Sequence, residues 1–333
     1  MRNKFYLFIS LSISLVLVFL IFLNAQYPFK NLEVGRWSVG YSFANNVFPP
    51  PKLILDNILP YTFIDSITGS SNNYIADPFF IKEKDSFYLF VEQKGIENAD
   101  IALFVSADGN KYDYKGIVLD EDFHISYPQV FKYKNEFYML PETKQAENLL
   151  LYKARNFPYD WQIEDTLLKG VELKDPSLLL SDELNLIVAV DDHLKQFMFT
   201  AGSLNGKWKE VENYFPRLGN ETRPGGRFFK VNNTWYLPIQ DRTDGYGSGI
   251  SIFKLIHNDT GLKLEMAESS YLSAQANIKW FNRGMHQLDI QKIDEKFYMV
   301  YDGDRNTDNT HVYQVKRSLQ FFLYDVYNYF YKE

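Results

Sequence analysis

A proline preceded by a polar or aromatic residue and followed by a mostly apolar run recurs along this chain. The segments are Asp77-Pro78-Phe79-Phe80, Tyr127-Pro128-Gln129-Val130, Asp175-Pro176-Ser177-Leu178 and Arg223-Pro224-Gly225-Gly226. Their prolines lie about 50 residues apart, the length of a blade-sized repeat. A fifth segment, Met285-His286-Gln287-Leu288-Asp289-Ile290, comes later and lacks the proline. Each start leads through a polar turn (KEKDS, KYKNE, LSDEL, KVNNT, KIDEK) into a second strand (FYLFVE, FYMLPE, LIVAVD, WYLPIQD, FYMVYD). A third follows as IALFVS, LLLYKA, QFMFTA, ISIFKL and HVYQVK. Short strands at even spacing, parted by Asp/Asn/Gly/Lys turns, predict an all-β chain. One antiparallel sheet cannot bury both its faces, and radial stacking of such sheets solves this while leaving only short edges. Five units predict a five-bladed β-propeller.

The remaining segments set the organisation. Residues Phe5 to Leu23 carry no charge and follow Arg2 and Lys4. That length suits a helix crossing a hydrocarbon core. The flanking charges predict a cytoplasmic N-terminus and an extracytoplasmic propeller. A cleaved signal peptide is the rival reading, but Leu23-Asn24-Ala25 is a poor cleavage site and the apolar run is long for one. The expected divisions are an anchor over 1–24, a linker with a ring-closing strand over 25–60, the propeller over 61–316 and an aromatic tail over 317–333. Trp37 to Tyr41 alternates like the strand that closes the ring, and Phe48 to Lys52 reads as a stiff spacer. The tail is expected to be a helix, packed on the propeller rather than lying on a bilayer, because interfacial helices usually carry more Lys and Arg. A net charge of −7 argues against nucleic acid as a partner. The absence of cysteine excludes disulfides, thiolate metal sites and a cysteine nucleophile.

In an antiparallel pair, the start of one strand and the end of the next lie at the same end. This pairs Asp77 with Glu92, Tyr127 with Glu142, Asp175 with Asp191, Arg223 with Asp241, and His286 with Asp302 on one rim of the funnel. Arg223, Arg227, Arg242 and Arg305 are the cations available to balance the acids. Any one such acid has an ordinary reading, as a turn starter or a loop cap. Five together point to a site, since buried like charges are costly unless used or paired. Aromatic faces with carboxylates and arginines suit a sugar. Sequons start at Asn220, Asn232 and Asn258, and matter only in a host that glycosylates exported proteins. Gly245-Tyr246-Gly247-Ser248-Gly249 lies between two strands and reads as a loop, not a dinucleotide fingerprint.

Three stretches, Ile125 to Glu142 (ISYPQVFKYKNEFYMLPE), Arg223 to Asp241 (RPGGRFFKVNNTWYLPIQD) and Gly284 to Arg305 (GMHQLDIQKIDEKFYMVYDGDR), carry a resemblance. With ADPFFI at Ala76, they resemble the N-terminal propeller domain of glucosamine inositolphosphorylceramide transferases and bacterial relatives. The glycosyltransferase domain of the plant proteins has no counterpart in these residues. That propeller is in turn similar to the family-43 glycoside hydrolases. This likeness implies Asp77 as a base, Asp175 as an orienting and pKa-tuning acid, and Glu221 as the proton donor, with Glu142 as the substitute. Glu221 stands one residue further from its proline than the hydrolase pattern expects, with Arg223 in the nearer place. The same likeness puts His286 beneath the sugar or near a calcium ion in the central channel.

Two readings follow. In one, the funnel binds and hydrolyses a cell-surface glycan or glycolipid, with Asp77 activating water and Glu221 or Glu142 protonating the leaving oxygen. In the other, it is a non-catalytic glycan-binding module serving a separate glycosyltransferase at the same membrane. Glu92, Tyr127, Asp191, Arg223, Arg227, Asp241, His286, Asp302 and Arg305 are the expected substrate contacts in either case.

Overall fold

A computed structural model describes residues 2–331 except 54–56, 70–73, 95–97, 213 and 259–260. The sequon at Asn258 therefore falls partly outside the described residues. The chain opens with helix α1 (Arg2–Gln26), followed by β1 (Lys30–Leu32), β2 (Arg36–Ala44), β3 (Ile58–Leu59) and helix α2 (Tyr61–Thr68). Blade 1 is β4 (Tyr74–Glu83), β5 (Ser86–Lys94), β6 (Ala99–Ser106) and β7 (Asp113–Leu119). Blade 2 is β8 (Ser126–Tyr133), β9 (Glu136–Glu142), β10 (Asn148–Asn156) and β11 (Tyr159–Lys169). Blade 3 is β12 (Lys174–Leu180), β13 (Asn185–Val190), β14 (Gln196–Thr200) and β15 (Lys209–Glu210). Blade 4 is β16 (Phe229–Val231), β17 (Thr234–Asp241), β18 (Gly249–Asn258) and β19 (Gly261–Ser273). Blade 5 starts with β20 (Leu288–Ile293) and β21 (Lys296–Arg305) and is completed by β2 and β3. β22 (His311–Tyr313) and helix α3 (Val315–Phe330) end the fold.

The five-bladed propeller is thus present, with its ring closed by chain from the far end of the sequence. β2 pairs with β21 along its whole length, from Arg36 opposite Arg305 to Ala44 opposite Phe297. That corrects the reading of HVYQVK as the third strand of the fifth unit. β22 pairs instead with β1, because β21 already has β2 as its outer neighbour. Helix α2, over Tyr61–Thr68, was not foreseen either. Phe63 and Ile64 pack it on blades 1 and 5. The proline-rich stretch does not act as a free spacer. Val47 and Leu53 are buried, and the Tyr271 hydroxyl donates to the Val47 carbonyl at 2.7 Å, strapping it to blade 4.

The core lies between neighbouring sheets. Phe79, Phe90 and Leu103 of blade 1 meet Tyr127, Met139 and Tyr152 of blade 2, all fully buried. Burying an aromatic side chain there contributes about 1.5–3 kcal/mol. The turns match the strand twist: Lys134-Asn135 and Asn232-Asn233 have paired left-handed φ values (48° and 64°, 47° and 62°), the type I′ hairpin geometry.

α1 is long and apolar enough to cross a membrane, and little of its span from Lys4 to Gln26 is buried. Its last turn is not a loose tether. Leu23 and Tyr27 are buried against Leu194 of blade 3 and Phe321 of α3.

Candidate functional site

The prolines that mark the repeat also build the rim. Proline has no N–H to donate, so the ladder breaks at Pro78, Pro128 and Pro176. Each break is a β-bulge, between Ala76 and Phe79, Ser126 and Gln129, and Lys174 and Ser177. The residue before each proline takes a left-handed φ: Asp77 49°, Tyr127 53°, Asp175 47°. Bulges of this kind re-aim side chains, and the strained φ costs on the order of 1 kcal/mol each. One blade supports the next. Asp302 Oδ2, within the last half of β21, accepts from the Asp77 amide at 3.0 Å, and Glu142, at the end of β9, accepts from the Asp175 amide at 3.1 Å.

Two linked clusters result. In the first, Asp302 Oδ1 accepts from the His286 amide (3.1 Å), the Gln287 amide (3.0 Å) and His286 Nδ1 (2.8 Å). This fixes the ring so that Nε2 faces Asp77 Oδ1 at 3.4 Å. Trp37 stacks on the imidazole at 3.9 Å, and Tyr246 meets it edge-on at 5.3 Å. Burial pushes the Asp77 carboxyl well up from its ordinary range, with His286 opposing. For His286, burial is outweighed by Asp302 and Asp77, and its pKa rises.

In the second, Arg223 forks onto Asp175, Nε to Oδ2 at 2.6 Å and Nη2 to Oδ1 at 2.9 Å, while Gln240 Nε2 donates to Oδ2 at 2.7 Å. Burial would raise the Asp175 pKa, but Arg223 overrides it and holds the carboxylate low. Glu142 stands 3.6 Å from Arg223. Burial, then Asp175, push its pKa up to about 8. Glu92 is raised to about 8 by burial against the opposing hydrogen bond from the Tyr74 hydroxyl (3.0 Å). His124 Nε2 lies 3.6 Å from Glu92. Arg242 and Arg223 both sit over the Tyr246 ring, at 5.2 and 5.6 Å.

Asp77, Glu92, Glu142, Asp175, Arg223, His286 and Asp302 therefore come together, as the strand register requires. The other expected site residues do not. Asp191 accepts from the amides of His193 and Lys195 in its own turn, and Asp241 from the amide of Thr243. Both are strand-end loop caps. Glu221 accepts from the Ser251 hydroxyl at 2.7 Å and has Asp241 and Arg217 as charged neighbours, away from Asp77. Arg227 forks onto Asp289 lower in the channel (2.7 and 3.1 Å) and lines a hollow of about 570 Å³ by the inner hairpin turns, with Lys132 and Trp235. Arg305 packs over Trp280. The arginine buried near the site on blade 5 is Arg283, bonded to Asp304 at 2.8–2.9 Å and over Trp37 at 5.8 Å. Trp37, Tyr246 and Gln240 were also missed as site residues. The glycine loop around Tyr246 was the one available signal, since Gly247 has φ 72° and a Cβ there would strike Trp37 at 2.4 Å.

Tyr127 points inward rather than to the rim. Its hydroxyl accepts from the Gly226 amide (2.7 Å), donates to the Gly226 carbonyl (2.9 Å) and meets Ser177 Oγ at 2.7 Å, joining blades 2, 3 and 4 at the axis. Tyr127→Phe should lower unfolding stability by about 1–3 kcal/mol by orphaning those buried groups, measured by denaturant unfolding.

Asp77, His286 and Asp302 bring ligand atoms within 4.8 Å of one another. They do not fit calcium. Both Asp302 oxygens are already committed to N–H donors, leaving one carboxylate and one imidazole nitrogen, whereas calcium takes six to eight oxygens.

Blades of four antiparallel strands around a closed funnel of buried acids and bases define a five-bladed β-propeller with a polar central site. The same fold occurs in a thermostable family-43 glycoside hydrolase (13% identity, TM-score 0.52, covering 73% of this chain and 93% of that one). An α-L-arabinofuranosidase from Clostridium thermocellum gives a TM-score of 0.50 at 14% identity, covering 68% and 81%. The chain itself belongs to the family described as glucosamine inositolphosphorylceramide transferase 1, N-terminal, whose model matches residues 58–304. Glucosamine inositolphosphorylceramide transferase 1 of Oryza sativa subsp. japonica is 31% identical over 257 residues, covering 71% of this chain and 34% of that protein. The Arabidopsis thaliana protein of that name is 28% identical over 303 residues, covering 82% and 39%. The chain thus spans between a third and two-fifths of the length of these relatives.

Proposed function

We propose that the funnel binds the saccharide portion of a glycan or glycolipid on the extracytoplasmic side of a membrane, in the service of a separate glycosyltransferase. The observation that carries this reading is Asp77 Oδ1, a buried carboxylate oxygen with no hydrogen-bond partner. Such an atom costs about 1–3 kcal/mol unless something donates to it. A sugar hydroxyl supplies that donor, with the Trp37 and Tyr246 rings beside it for the apolar C–H face of the sugar. The names of the plant relatives and of the fold neighbours, transferase and glycoside hydrolase, agree with a carbohydrate ligand.

Hydrolysis is the second reading, favoured by Glu142. A carboxyl held up to about 8 keeps its proton at neutral pH, as a general acid must. Against it stands the Arg223 fork on Asp175, with Glu221 turned toward Ser251. Titration of the full chain in detergent micelles with a panel of mono- and oligosaccharides tests both. Binding without product release over long incubation supports the first reading. Asp77→Asn should then weaken binding about 10–100-fold, the worth of a hydrogen bond to a charged group. Unchanged affinity across the panel removes Asp77 from the site, and product release moves the funnel to the hydrolytic reading.

A further inference from the structure

We infer that α3 is an interfacial helix whose outer face lies in the headgroup region of the bilayer that α1 enters, seating the funnel rim beside the membrane. This goes beyond sugar binding and rests on α1 as a membrane-inserted helix. It also reverses the expectation that the tail only packs on the propeller.

Two faces of α3 have opposite surroundings. One is occupied by protein. Ser318 and Phe321 are buried, Asn328 Nδ2 donates to the Leu218 carbonyl at 2.7 Å, and Arg317 Nη1 donates to the Arg242 carbonyl at 2.7 Å. The other carries Val315, Leu319, Phe322, Val326 and Phe330 at intervals of four, three, four and four, a single apolar stripe at helical spacing. Leu323 and Phe330, on that stripe or its edge, are 57% and 72% exposed. A row of large apolar side chains facing water is unfavourable at about 25 cal/mol per Å².

The occupant is indicated by continuity with α1. Phe322 meets Phe19 of α1 edge-on at 5.2 Å, and one apolar groove is walled by Phe22 of α1 and by Phe322, Val326 and Phe330 of α3. The stripe therefore begins where the last turns of α1 leave the span. Tyr329, 77% exposed, and Tyr331, 55% exposed, stand at its end, and tyrosine favours the membrane–water boundary. An apolar helix face at that position sinks about 5–10 Å into the headgroup–acyl boundary. Arg317 also holds the carbonyls of Arg242 and Thr243, at the root of the loop that carries Tyr246. Seating α3 thus places the rim loop of the funnel close to the lipid surface.

The chain has no cysteine, so single labels can be placed along all of it. Leu323→Cys, Val326→Cys, Leu15→Cys in α1 and Glu268→Cys on the exposed face of β19 are each labelled with a small environment-sensitive fluorophore. The proteins are reconstituted singly in phosphatidylcholine nanodiscs with brominated acyl chains. Quenching at 15, 323 and 326 is expected to exceed that at 268 several-fold. Quenching at 15 alone overturns the inference and leaves α1 inserted with α3 in water. Water exposure at 15, 323 and 326 together overturns both the seating and the membrane reading of α1, without touching saccharide binding. Shielding of 323 by a second copy, seen as label-to-label transfer with no lipid quenching, overturns it in favour of self-association.

Discussion

Replacing Arg223 with methionine should lower the stability of the chain by about 3–5 kcal/mol, the cost of leaving buried charge without its partner. Asp175 is fully buried and takes two charged donors from this one guanidinium, at 2.6 and 2.9 Å. Glu142 stands 3.6 Å from the same group. Methionine fills much of the volume and supplies no donor. Asp175 then retains Gln240 alone among its side-chain donors. Its carboxyl, held low by Arg223, should rise and take up a proton, so the loss should shrink as the pH falls. Arg223→Met combined with Asp175→Asn should recover much of the loss, since a neutral amide needs no counter-charge. Urea unfolding of the single and double variants measures this. A loss below about 1 kcal/mol for Arg223→Met would mean that the pair is solvated and not buried as a unit.

The second large effect is a fall in stability from about pH 5 to pH 9. Glu92 and Glu142 rise from an ordinary 4.5 to about 8 on folding. Between those values the folded chain keeps protons that the unfolded chain has released, so raising the pH favours unfolding. His286 acts in the same direction: its raised pKa gives stability below its ordinary 6.5 that is lost as pH climbs through the folded value. Asp77, raised by burial, agrees. Asp175 is lowered, so its stabilisation is lost only below the ordinary aspartate range, outside this window. The two glutamates together should cost on the order of 3 kcal/mol across the window, below the sum of independent shifts because they share one field. Thermal unfolding at intervals of pH reads the slope. Glu92→Gln with Glu142→Gln, which imitates the protonated pair, should flatten it. An equally steep slope in the double variant would place the titrating groups elsewhere.

Much of this site is legible in the chain because strand pairing is a local rule. A strand start and the end of the next strand share a rim, and a proline at the start forces a bulge. Those facts place Asp77 near Glu92 and His286 near Asp302, whereas the contact of Asp175 with Glu142 crosses from one blade to the next. They fail for Asp191 and Asp241 because a strand-end carboxylate has two outlets. It can reach the next blade's bulge, as Glu142 and Asp302 do, or cap its own turn, as Asp191 and Asp241 do. That choice depends on loop conformation, which carries no period. Blade 4 departs further, with Gly225 and Gly226 where the other blades have bulkier residues. A Cβ on Gly226 would lie 1.8 Å from the Leu288 carbonyl, so only glycine fits there.

The repeat of Xaa-Pro starts and polar turns by itself determined five antiparallel sheets and the rim on which their charges gather, since alternation and ladder breaks are written residue by residue. Trp37 to Tyr41 already reads as the ring-closing strand, but tertiary structure alone decided that it, and not HVYQVK, lies beside the second strand of blade 5. β21 took β2 as its neighbour, and that pairing carried Trp37 across about 250 residues onto His286. It also decided that Arg283 rather than Arg305 is buried by blade 5, and that α3 meets α1. Closure is a contest between edges for one set of unpaired N–H and C=O groups, and its outcome depends on the assembled ring rather than on any local run of sequence.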